Sequence, residues 1–343
     1  MKGIGMLFLL FFGWTSIIFC QEILKNEKED FVITFGSCNK QNNPQPFWKE
    51  ILKNNPNIFI WGGDNIYSDT DDMDILRTNY SIQNSNLDYQ KLKKSIPILG
   101  TWDDHDYGLN DGGAEWRKKR ESQQLFLDFL GVSKEDPKRT QEGVYSSRIF
   151  EMDKGSIKVI VLDTRYFRSS LKKSNIKEKR YQPHQNKEGT ILGEKQWEWL
   201  ENELDSNYSD FVIIVSSIQF LSSEHGFETW GNFPSEVERL KNVLVDKGVR
   251  NAIILSGDRH ISEFSLSTVK GLGYPLLDFT SSGLTHAYSN YNGESNKYRI
   301  GNVIAVPSFG VLKFDLDSYV VTMQIRGKNN IVLQEFKKQY PKK

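Results

Sequence analysis

The sequence predicts an α/β fold, and three observations support this prediction. Six short stretches are nearly continuous in apolar residues, as in strands that are covered on both faces. Segments of helical length and pattern lie between them. Toward the C-terminus, further strand-like stretches follow one another with few helices between them. The alternation favours α/β layers over an all-β sandwich, and the C-terminal run indicates a second sheet.

The predicted elements follow one another along a single domain. The six apolar strands are 31–35, 57–61, 96–102, 157–162, 211–215 and 252–255. The helices are 46–54, 115–130, 194–204 and 234–246, and the C-terminal strands are 276–280, 311–315, 319–325 and 331–336. Two polar, aperiodic stretches, 69–88 and 168–190, are predicted to be long surface loops, which either shape a substrate mouth or are plain mobile insertions. No repeat or Pro/Gly/Ser-rich linker divides the chain, so residues 21–343 are predicted to form one domain.

Residues 1–20 have the pattern of a secretory signal peptide. Lys2 precedes an apolar stretch at 6–12 that is too short to span a bilayer with margin. Cleavage after Cys20 would export the mature chain and leave Cys38 as its only thiol, without a disulfide partner. A lipidated Cys20, which would be the chain's contact with a membrane, and an uncleaved anchor remain open. No later segment is long and apolar enough to cross a membrane.

Acidic and basic residues balance, which argues against a polyanionic partner. Lysine plus arginine and aspartate plus glutamate both total 44, so no sequence-wide field would hold a nucleic acid, and no nucleic-acid binding is expected. The basic run at 172–179 is mixed with acidic residues and is interpreted as a solvated face.

Potential ligands follow four of the predicted strands. Open α/β sheets bind ligands at the carboxyl ends of their strands, where the loops converge. These ends carry Gly36-Ser37-Cys38-Asn39, Gly62-Gly63-Asp64-Asn65-Ile66-Tyr67, Asp103-Asp104-His105-Asp106-Tyr107 and Ser256-Gly257-Asp258-Arg259-His260. Crowded aspartates repel one another unless cations lie among them, so the sequence predicts a metal site.

The residue types suggest a pair of unlike metals. The carboxylates of Asp64, Asp104 and Asp258 suit calcium, magnesium, manganese or iron. The thiolate of Cys38 and the phenolate of Tyr67 suit a more strongly Lewis-acidic ion, such as ferric iron.

Two of the histidines have neighbours that indicate a role. His260 lies two residues after Asp258, so on an extended segment both side chains project toward one centre, as chelation requires. His105 is flanked by Asp104 and Asp106, either of which would raise its pKa, and a protonated His105 would suit a general acid. The remaining histidines are interpreted as structural groups: His184, His225 and His286.

Other nucleophilic schemes fit the sequence less well. It contains no Gly-x-Ser-x-Gly elbow and no P-loop or strand-associated Gly-x-Gly-x-x-Gly, which disfavours a serine hydrolase and nucleotide-cofactor chemistry. A Cys38 nucleophile with a histidine base remains open, but it would leave the three aspartate turns unexplained.

At these positions the sequence resembles the alkaline phosphatase D (PhoD-like) family of metallophosphatases. The matching segments occur in family order between residues 31 and 264. They are Phe35-Gly36-Ser37-Cys38, Trp61-Gly62-Gly63-Asp64-Asn65-Ile66-Tyr67, Thr101-Trp102-Asp103-Asp104-His105-Asp106-Tyr107-Gly108, Leu162-Asp163-Thr164-Arg165-Tyr166, Val215-Ser216-Ser217 with Gln219, and Leu255-Ser256-Gly257-Asp258-Arg259-His260. The resemblance implies a four-layer α/β/β/α fold with two facing mixed sheets and a site at their common edge.

The resemblance also implies an iron and calcium centre. By motif position, Cys38, Tyr67 and His260 would bind the iron-like ion, Asp64 would bridge, and Asp104 and Asp258 would bind the calcium-like ion. His105 stands where metallophosphoesterases place the histidine that contacts phosphate and protonates the leaving group. Asp104 and Asp258 replace the asparagine and histidine of the wider superfamily, which favours calcium or magnesium over zinc.

Four further residues are candidates for supporting roles. Arg165 is predicted either to clamp phosphate or to form a structural ion pair with Asp163. The candidates for orienting the ligands are Asn65, Asn110 and Gln219.

The predicted function is that of an exported, metal-dependent phosphoric-ester hydrolase acting on monoesters, diesters or both. A metal-bound hydroxide would attack phosphorus in line, and His105 would protonate the departing oxygen. The expected substrates are phosphate-ester small molecules or lipid headgroups. A phospholipase-like phosphodiesterase and a non-catalytic ligand-binding protein on the same scaffold remain the alternatives.

Overall fold

The computed structural model describes residues 29–205 and 208–342 and contains two mixed β-sheets with helices outside them. The strands are β1 Phe31–Gly36, β2 Ile58–Gly62, β3 Ile98–Thr101, β4 Ser146–Met152, β5 Gly155–Val161, β6 Phe211–Val215, β7 Ala252–Ser256, β8 Ser262–Thr268, β9 Pro275–Ser281, β10 Arg299–Ile304, β11 Phe309–Asp315, β12 Val320–Arg326 and β13 Val332–Gln339. The helices are α1 Phe47–Leu52, α2 Met73–Ser85, α3 Leu87–Ser95, α4 Asp104–Tyr107, α5 Lys119–Leu130, α6 Gly193–Asp205 and α7 Pro234–Asp246.

Each sheet has a parallel centre with antiparallel strands added to it. The six-stranded sheet has the order β13-β12-β11-β1-β2-β3, in which β1, β2 and β3 are parallel. The seven-stranded sheet has the order β10-β8-β9-β7-β6-β5-β4, in which β5, β6, β7 and β9 are parallel. The carboxyl ends of these parallel strands are where ligands are expected to bind.

The side chains of β1 alternate between the two layers of the core. Phe31, Ile33 and Phe35 are buried in the cluster between the sheets, whereas Val32 packs in the outer cluster of the six-stranded sheet. The ring of Phe35 lies edge-on to that of Phe279 in β9, with 4.8 Å between the ring centres, so the sheets are in direct contact. Burial of each such large apolar side chain contributes about 1.5–3 kcal/mol.

Helices cover the outer face of each sheet. Trp48 of α1, Tyr89 of α3 and Phe126 of α5 are buried against the six-stranded sheet. Trp197 of α6 and Leu240 of α7 are buried against the seven-stranded sheet. The layers follow the order α/β/β/α, which confirms the predicted four-layer fold.

The prediction that 69–88 is a loop was wrong, because α2 occupies most of it. The side chain of Asp72 caps the helix by accepting hydrogen bonds from the backbone N–H groups of Asp74 and Ile75 at 2.9 and 3.3 Å. Burial of Leu76 and Tyr80 then holds α2 on the outer face of the sheet. The second predicted loop, 168–190, contains no helix or named strand in the structure.

The C-terminal strands do not form a sheet of their own, which corrects the prediction from the sequence. β9 joins the seven-stranded sheet, whereas β11, β12 and β13 extend the six-stranded sheet because β11 pairs antiparallel with β1. Each sheet therefore combines strands from both halves of the chain.

The predicted signal peptide at 1–20, including Cys20, lies outside the described residues. Among the residues that the structure describes, no helix has both the length and the apolar character needed to cross a membrane.

Candidate metal centre

The first group of predicted ligands follows the parallel strands of the six-stranded sheet. Cys38 lies two residues after β1, Asp64 two residues after β2, and Asp104 opens α4 after β3. A parallel β-bridge between Ser37 and Ser282 connects this edge to the seven-stranded sheet. The loops that carry the ligands are therefore brought together where the two sheets meet.

The seven-stranded sheet contributes Asp258 and His260, which follow β7. The end of β7 lies so close to the other sheet that a Cβ atom on Gly257 would be 2.6 Å from the carbonyl oxygen of Gly62. Only glycine fits at this position, and the close approach places Asp258 near the loop that carries Asp64.

Four of the six predicted ligands have a left-handed backbone conformation. The φ angles are 58° at Cys38, 50° at Asp64, 68° at Asp258 and 55° at His260. This conformation costs a residue with a Cβ atom about 1–2 kcal/mol. The surrounding packing maintains it, and such strain is concentrated at functional sites in proteins.

The predicted ligands of the first metal contact one another. The sulfur of Cys38 lies 3.3 Å from Oδ2 of Asp64, and the hydroxyl of Tyr67 donates to the same oxygen at 3.1 Å. The Tyr67 hydroxyl also lies 3.0 Å from Nε2 of His260. The ligand atoms of Cys38, Asp64 and His260 all lie within 4.8 Å of one another.

Two further groups form a chain with the first, each sharing one residue with the next. Ligand atoms of Asp64, Asp104 and His105 lie within 4.8 Å of one another, as do those of Asp103, Asp104 and Asp258. Asp64 belongs to the first two groups and Asp104 to the last two. Asp64 and Asp104 are thus each shared between two groups that could hold an ion.

Asp64 and Asp258 lack sufficient positive charge among the described residues, whereas at Asp104 the effect of burial is exceeded by those of Arg165 and His105, which lower the pKa. Burial raises the pKa of Asp64 well above its usual value, although His105 opposes the shift, and Asp104 raises it further. Burial and then Asp103 likewise raise the pKa of Asp258. In addition, Oδ1 of Asp64 is buried without a hydrogen-bond partner in the described ranges. A cation would satisfy this oxygen and offset the repulsion, so the residues fit a metal centre.

The other donors suit the same centre. Burial lowers the pKa of His260 to about 3, so its imidazole is neutral, which is the form that binds a metal. Burial and the Asp64 carboxylate raise the pKa values of the Cys38 thiol and the Tyr67 phenol. A cation would favour the thiolate and the phenolate, and such ligands suit a Lewis-acidic metal.

His105 is paired with an aspartate that the sequence analysis did not identify. Its Nδ1 lies 2.7 Å from Oδ2 of Asp69, and its ring lies 4.1 Å from the ring of Tyr67. Burial disfavours the charged imidazolium, but Asp64 and then Asp69 raise the pKa of His105 to about 10. The two carboxylates therefore favour the protonated form of His105.

Arg165 lies behind the carboxylates and is completely buried. Its Nε donates to Oδ1 of Asp103 at 2.6 Å, and its Nη1 donates to Oε2 of Glu228 at 2.7 Å. Asp163 accepts a hydrogen bond from the backbone N–H of Arg165 and not from its guanidinium. The predicted ion pair with Asp163 is thus replaced by pairs with Asp103 and Glu228. Arg168 completes this buried network through Glu228, with 2.9 Å between Nε and Oε1.

Two of the three residues predicted to orient ligands bind their neighbours by hydrogen bonds. Asn65 donates to Oδ2 of Asp106 at 2.6 Å and so connects the loops after β2 and β3. Gln219 donates to Glu263 and Thr280, each at 2.9 Å. The third, Asn110, is exposed and lines the cavity described next.

A cavity of about 310 Å³ lies against the cluster. Its lining includes Asp104, His105, Asp258 and His260. The other lining residues are Asn110, Asp111, Arg180, Tyr181, Phe227, Glu228, Arg259 and Tyr288. Because Arg180 and Tyr181 belong to the 168–190 loop, this loop shapes the cavity.

His286 also lies at the cluster, although the sequence analysis interpreted it as a structural group. Its ring centre is 4.4 Å from that of His260 and 5.1 Å from that of Tyr67. Its Nε2 is buried and has no hydrogen-bond partner in the described part of the chain. Its position five residues after the parallel strand β9 was a signal that could have identified it.

Two mixed sheets with outer helices, and a cluster of carboxylate, imidazole and thiol groups where the sheets meet, define a metallophosphatase-like protein. The sequence profile of the PhoD-like phosphatase family matches residues 32–268, which is more than half of the chain. The chain therefore belongs to the PhoD-like phosphatase family.

The individual relatives have low sequence identity to this chain. Alkaline phosphatase D of Bacillus subtilis (strain 168) is 28% identical over 110 residues, which cover 30% of this chain and only 19% of that relative. A solved structure of PhoD has a TM-score of 0.71 at 16% identity and is matched over 91% of this chain and 68% of its own.

Two other solved structures share the fold. A dimetal phosphatase from Danio rerio has a TM-score of 0.55 at 12% identity, covering 91% of this chain and all, 100%, of its own. GAP50, the anchor in the inner membrane complex of Plasmodium, has a TM-score of 0.59 at 13% identity, covering 92% and 90%. At these identities the likeness shows the fold alone.

Proposed function

We propose that this chain hydrolyses phosphoric esters where its two sheets meet. The observation that carries the proposal is the convergence of Cys38, Asp64 and His260, whose ligand atoms lie within 4.8 Å of one another although they come from three different loops. Family membership and the cavity against this cluster support the same function. Because an anchor protein shares the fold, the proposal depends on the site and not on the fold.

The proposed cations are iron and calcium. Cys38, Tyr67 and His260 would hold the iron, Asp64 would bridge, and Asp104 and Asp258 would hold the calcium. When bound, the cations would neutralise phosphoryl oxygens and lower the pKa of a bound water. The mixture of sulfur, phenol, imidazole and carboxylate donors supports two unlike ions.

His105 is proposed as the general acid. Asp69 occupies its Nδ1 at 2.7 Å, which leaves Nε2 to carry the proton for the substrate, and His105 lines the cavity. In the reaction, water loses a proton to solvent and its oxygen forms a bond to phosphorus, while the ester P–O bond breaks and the departing oxygen takes the proton from His105. His105 is then reprotonated from solvent. The alcohol is released, and phosphate or a phosphate monoester remains.

Arg165 is proposed to position the carboxylates and not to touch the substrate. Its guanidinium is buried and holds Asp103 and Glu228, and Asp103 belongs to the same ligand group as Asp104 and Asp258. Fixing Asp103 fixes the start of the loop that carries Asp104.

The test is turnover of p-nitrophenyl phosphate and of bis(p-nitrophenyl) phosphate by protein loaded with iron and calcium. Asp64→Asn and His105→Ala are expected to lower turnover by at least about a hundredfold with folding intact. Asp74→Asn, at an exposed aspartate of α2, is the matched control and should keep the parent activity. A folded parent protein that turns over neither ester would overturn the proposal, and the ratio of the two rates separates monoesterase from diesterase.

Small phosphate esters and lipid headgroups are both proposed as substrates, because the same centre serves either. Hydrolysis of a phospholipid in vesicles at a rate comparable to that of the soluble diester would favour the phospholipase-like alternative. Turnover of the soluble esters alone would indicate that the substrates are small phosphate esters.

Export is proposed from the charged start and apolar run of residues 1–20. Expression of the full chain in a bacterial host, followed by mass spectrometry of its N-terminus, tests it. A mature chain that begins at Gln21 supports cleavage, and a lipid on Cys20 would indicate an anchor. An uncleaved chain in the cytoplasm would contradict export.

A further inference from the structure

Part of the cavity lining has no role in the proposed hydrolysis and carries two arginines that lie over aromatic rings. Arg180 comes from the 168–190 loop and Arg259 from the loop after β7. The guanidinium of Arg259 lies 4.0 Å from the centre of the Phe227 ring, and that of Arg180 lies 5.4 Å from the centre of the Tyr181 ring. Arginines stacked in this way are already oriented, so they lose little freedom when they bind an anion. These four residues are called the arginine wall below.

Arg259 offers a buried donor without an acceptor. Its side chain is 11% exposed, and its Nη2 pairs with Glu294. Its Nε is buried and has no hydrogen-bond partner among the described residues. Leaving a charged N–H group buried and unpaired is costly, so an acceptor supplied by a ligand would be favoured.

Arg180 connects the arginine wall to the proposed metal ligands. Its Nη2 lies 2.7 Å from Oδ2 of Asp111, and the backbone N–H of Asp111 donates to Oδ2 of Asp104 at 2.7 Å. The Arg180 side chain is 48% exposed, so part of its guanidinium remains accessible. A group bound to Arg180 would therefore lie beside an ester bound at Asp104.

The two arginines of the arginine wall are each paired with a carboxylate, and a further cation lies nearby in the sequence of the same loop. The carboxylates of Asp111 and Glu294 balance the two arginines, and Lys179 adds a further cation from the same loop. Burial, together with Arg259 and Lys179, lowers the pKa of the nearby His225 to about 3. The basic run that the sequence analysis interpreted as a solvated face thus ends beside the cavity.

We propose that the arginine wall binds a second anionic group, a carboxylate or a phosphate, on the alcohol part of the ester. The rings of Phe227 and Tyr181 would pack against the carbon skeleton between this group and the reacting phosphate. The inference rests on the proposed function, because the ester must bind at the metal centre for its alcohol to reach the wall. The preferred substrates are esters whose alcohol part carries a negative charge, over esters of the same size whose alcohol part is neutral.

The test compares 4-carboxyphenyl phosphate with 4-carbamoylphenyl phosphate, which have nearly the same shape and differ by one charge. The quantity is the ratio of their kcat/KM values, acid over amide. The two esters differ in the intrinsic reactivity of their leaving groups, but this difference is the same for every protein variant. A variant that changes the ratio has therefore changed how the protein recognises the charged group. Arg180→Gln is expected to lower the ratio about tenfold, as loss of a charge-assisted contact would, and Arg180→Lys to lower it less. Arg180 is preferred to Arg259 because Arg259 lies between two proposed metal ligands.

Arg148→Gln is the matched control, because Arg148 is also stacked on an aromatic ring, 5.0 Å from the centre of Phe150, but lies on the edge strand β4. It should leave the ratio unchanged. If both esters are hydrolysed and Arg180→Gln keeps the parent ratio, the arginine wall proposal is overturned and the hydrolase stands. If the parent protein hydrolyses bis(p-nitrophenyl) phosphate but neither of these monoesters, the arginine wall proposal is also overturned and the hydrolase stands. If it hydrolyses none of the three esters, the proposed function itself fails.

Discussion

Nδ1 of His105 lies 2.7 Å from Oδ2 and 2.8 Å from Oδ1 of Asp69, although 36 residues separate the two in the sequence. Asp69 adopts a left-handed backbone conformation with φ of 45°, in the loop after β2 that also carries Asp64. One loop therefore supplies both a proposed metal ligand and the carboxylate that holds the proposed general acid. This coupling leads to the first prediction.

Asp69→Asn is expected to lower kcat by about ten- to a hundredfold with little change in KM, because it removes the carboxylate that stabilises protonated His105. The loss should be larger for phenyl phosphate than for p-nitrophenyl phosphate, since the poorer leaving group depends more on the proton. Asp71→Asn is the control, because Asp71 lies in the same loop but pairs with the exposed Arg117. Equal losses for both substrates would contradict the role of the pair in proton transfer.

Arg165→Met is expected to lower the free energy of unfolding by about 3–5 kcal/mol, because it leaves Asp103 and Glu228 buried without their cation. Urea denaturation measures this loss. Arg120→Gln, which removes an exposed pair with Glu142, should change the stability by less than about 1 kcal/mol. A similar small change for both variants would show that the buried network is not required for stability.

Cys38→Ser and Asp258→Asn are expected to affect different metals. Cys38→Ser should lower the iron content relative to calcium, because it removes the sulfur ligand, and Asp258→Asn should lower calcium relative to iron. Elemental analysis of the purified proteins measures both. Each variant is the control for the other, and a parallel loss of both metals in both variants would contradict the assignment of separate sites.

His225 is expected to make the protein less stable as the pH falls from 6.5 toward 3. Burial lowers its pKa from 6.5 to about 3 in the folded chain. As the pH falls, the unfolded chain therefore binds the proton at a higher pH than the folded chain does, and this binding stabilises the unfolded state relative to the folded one. Between pH 6.5 and 5 this effect lowers the free energy of unfolding by about 2 kcal/mol. His225→Gln should reduce this slope in urea denaturation, whereas His184→Gln, at a partly exposed histidine, is the control. An unchanged slope in His225→Gln would exclude this contribution.

Most of the strands that are buried on both faces could be predicted, but the largely buried β8 was missed because serine, glutamate and threonine interrupt its apolar residues. The strand Phe211–Val215 agrees with the prediction at both ends because an uninterrupted apolar run admits few other readings. The edge strands β4 and β10 were missed because they are only partly buried and carry no apolar run. Helix α2 was missed because one capping aspartate and a few buried side chains specify it, and these are visible only in the fold.

Part of the candidate site could also be predicted from the sequence, and part could not. The residues at strand ends could be predicted because parallel strands place their carboxyl ends at one edge, and the structure brings Cys38, Asp64 and His260 together there. The partners of Arg165 and His105 depend on tertiary contacts across 62 and 36 residues, which no local pattern encodes.

Anomalous diffraction at the iron absorption edge, from a crystal of protein purified with its metals, tests the central claim most directly. We expect a peak within about 2–2.5 Å of the Cys38 sulfur and the His260 imidazole, with the Asp64 carboxylate completing the site. Crystals that hold no cation at this edge of the sheets, from protein that nevertheless hydrolyses the ester, would contradict it.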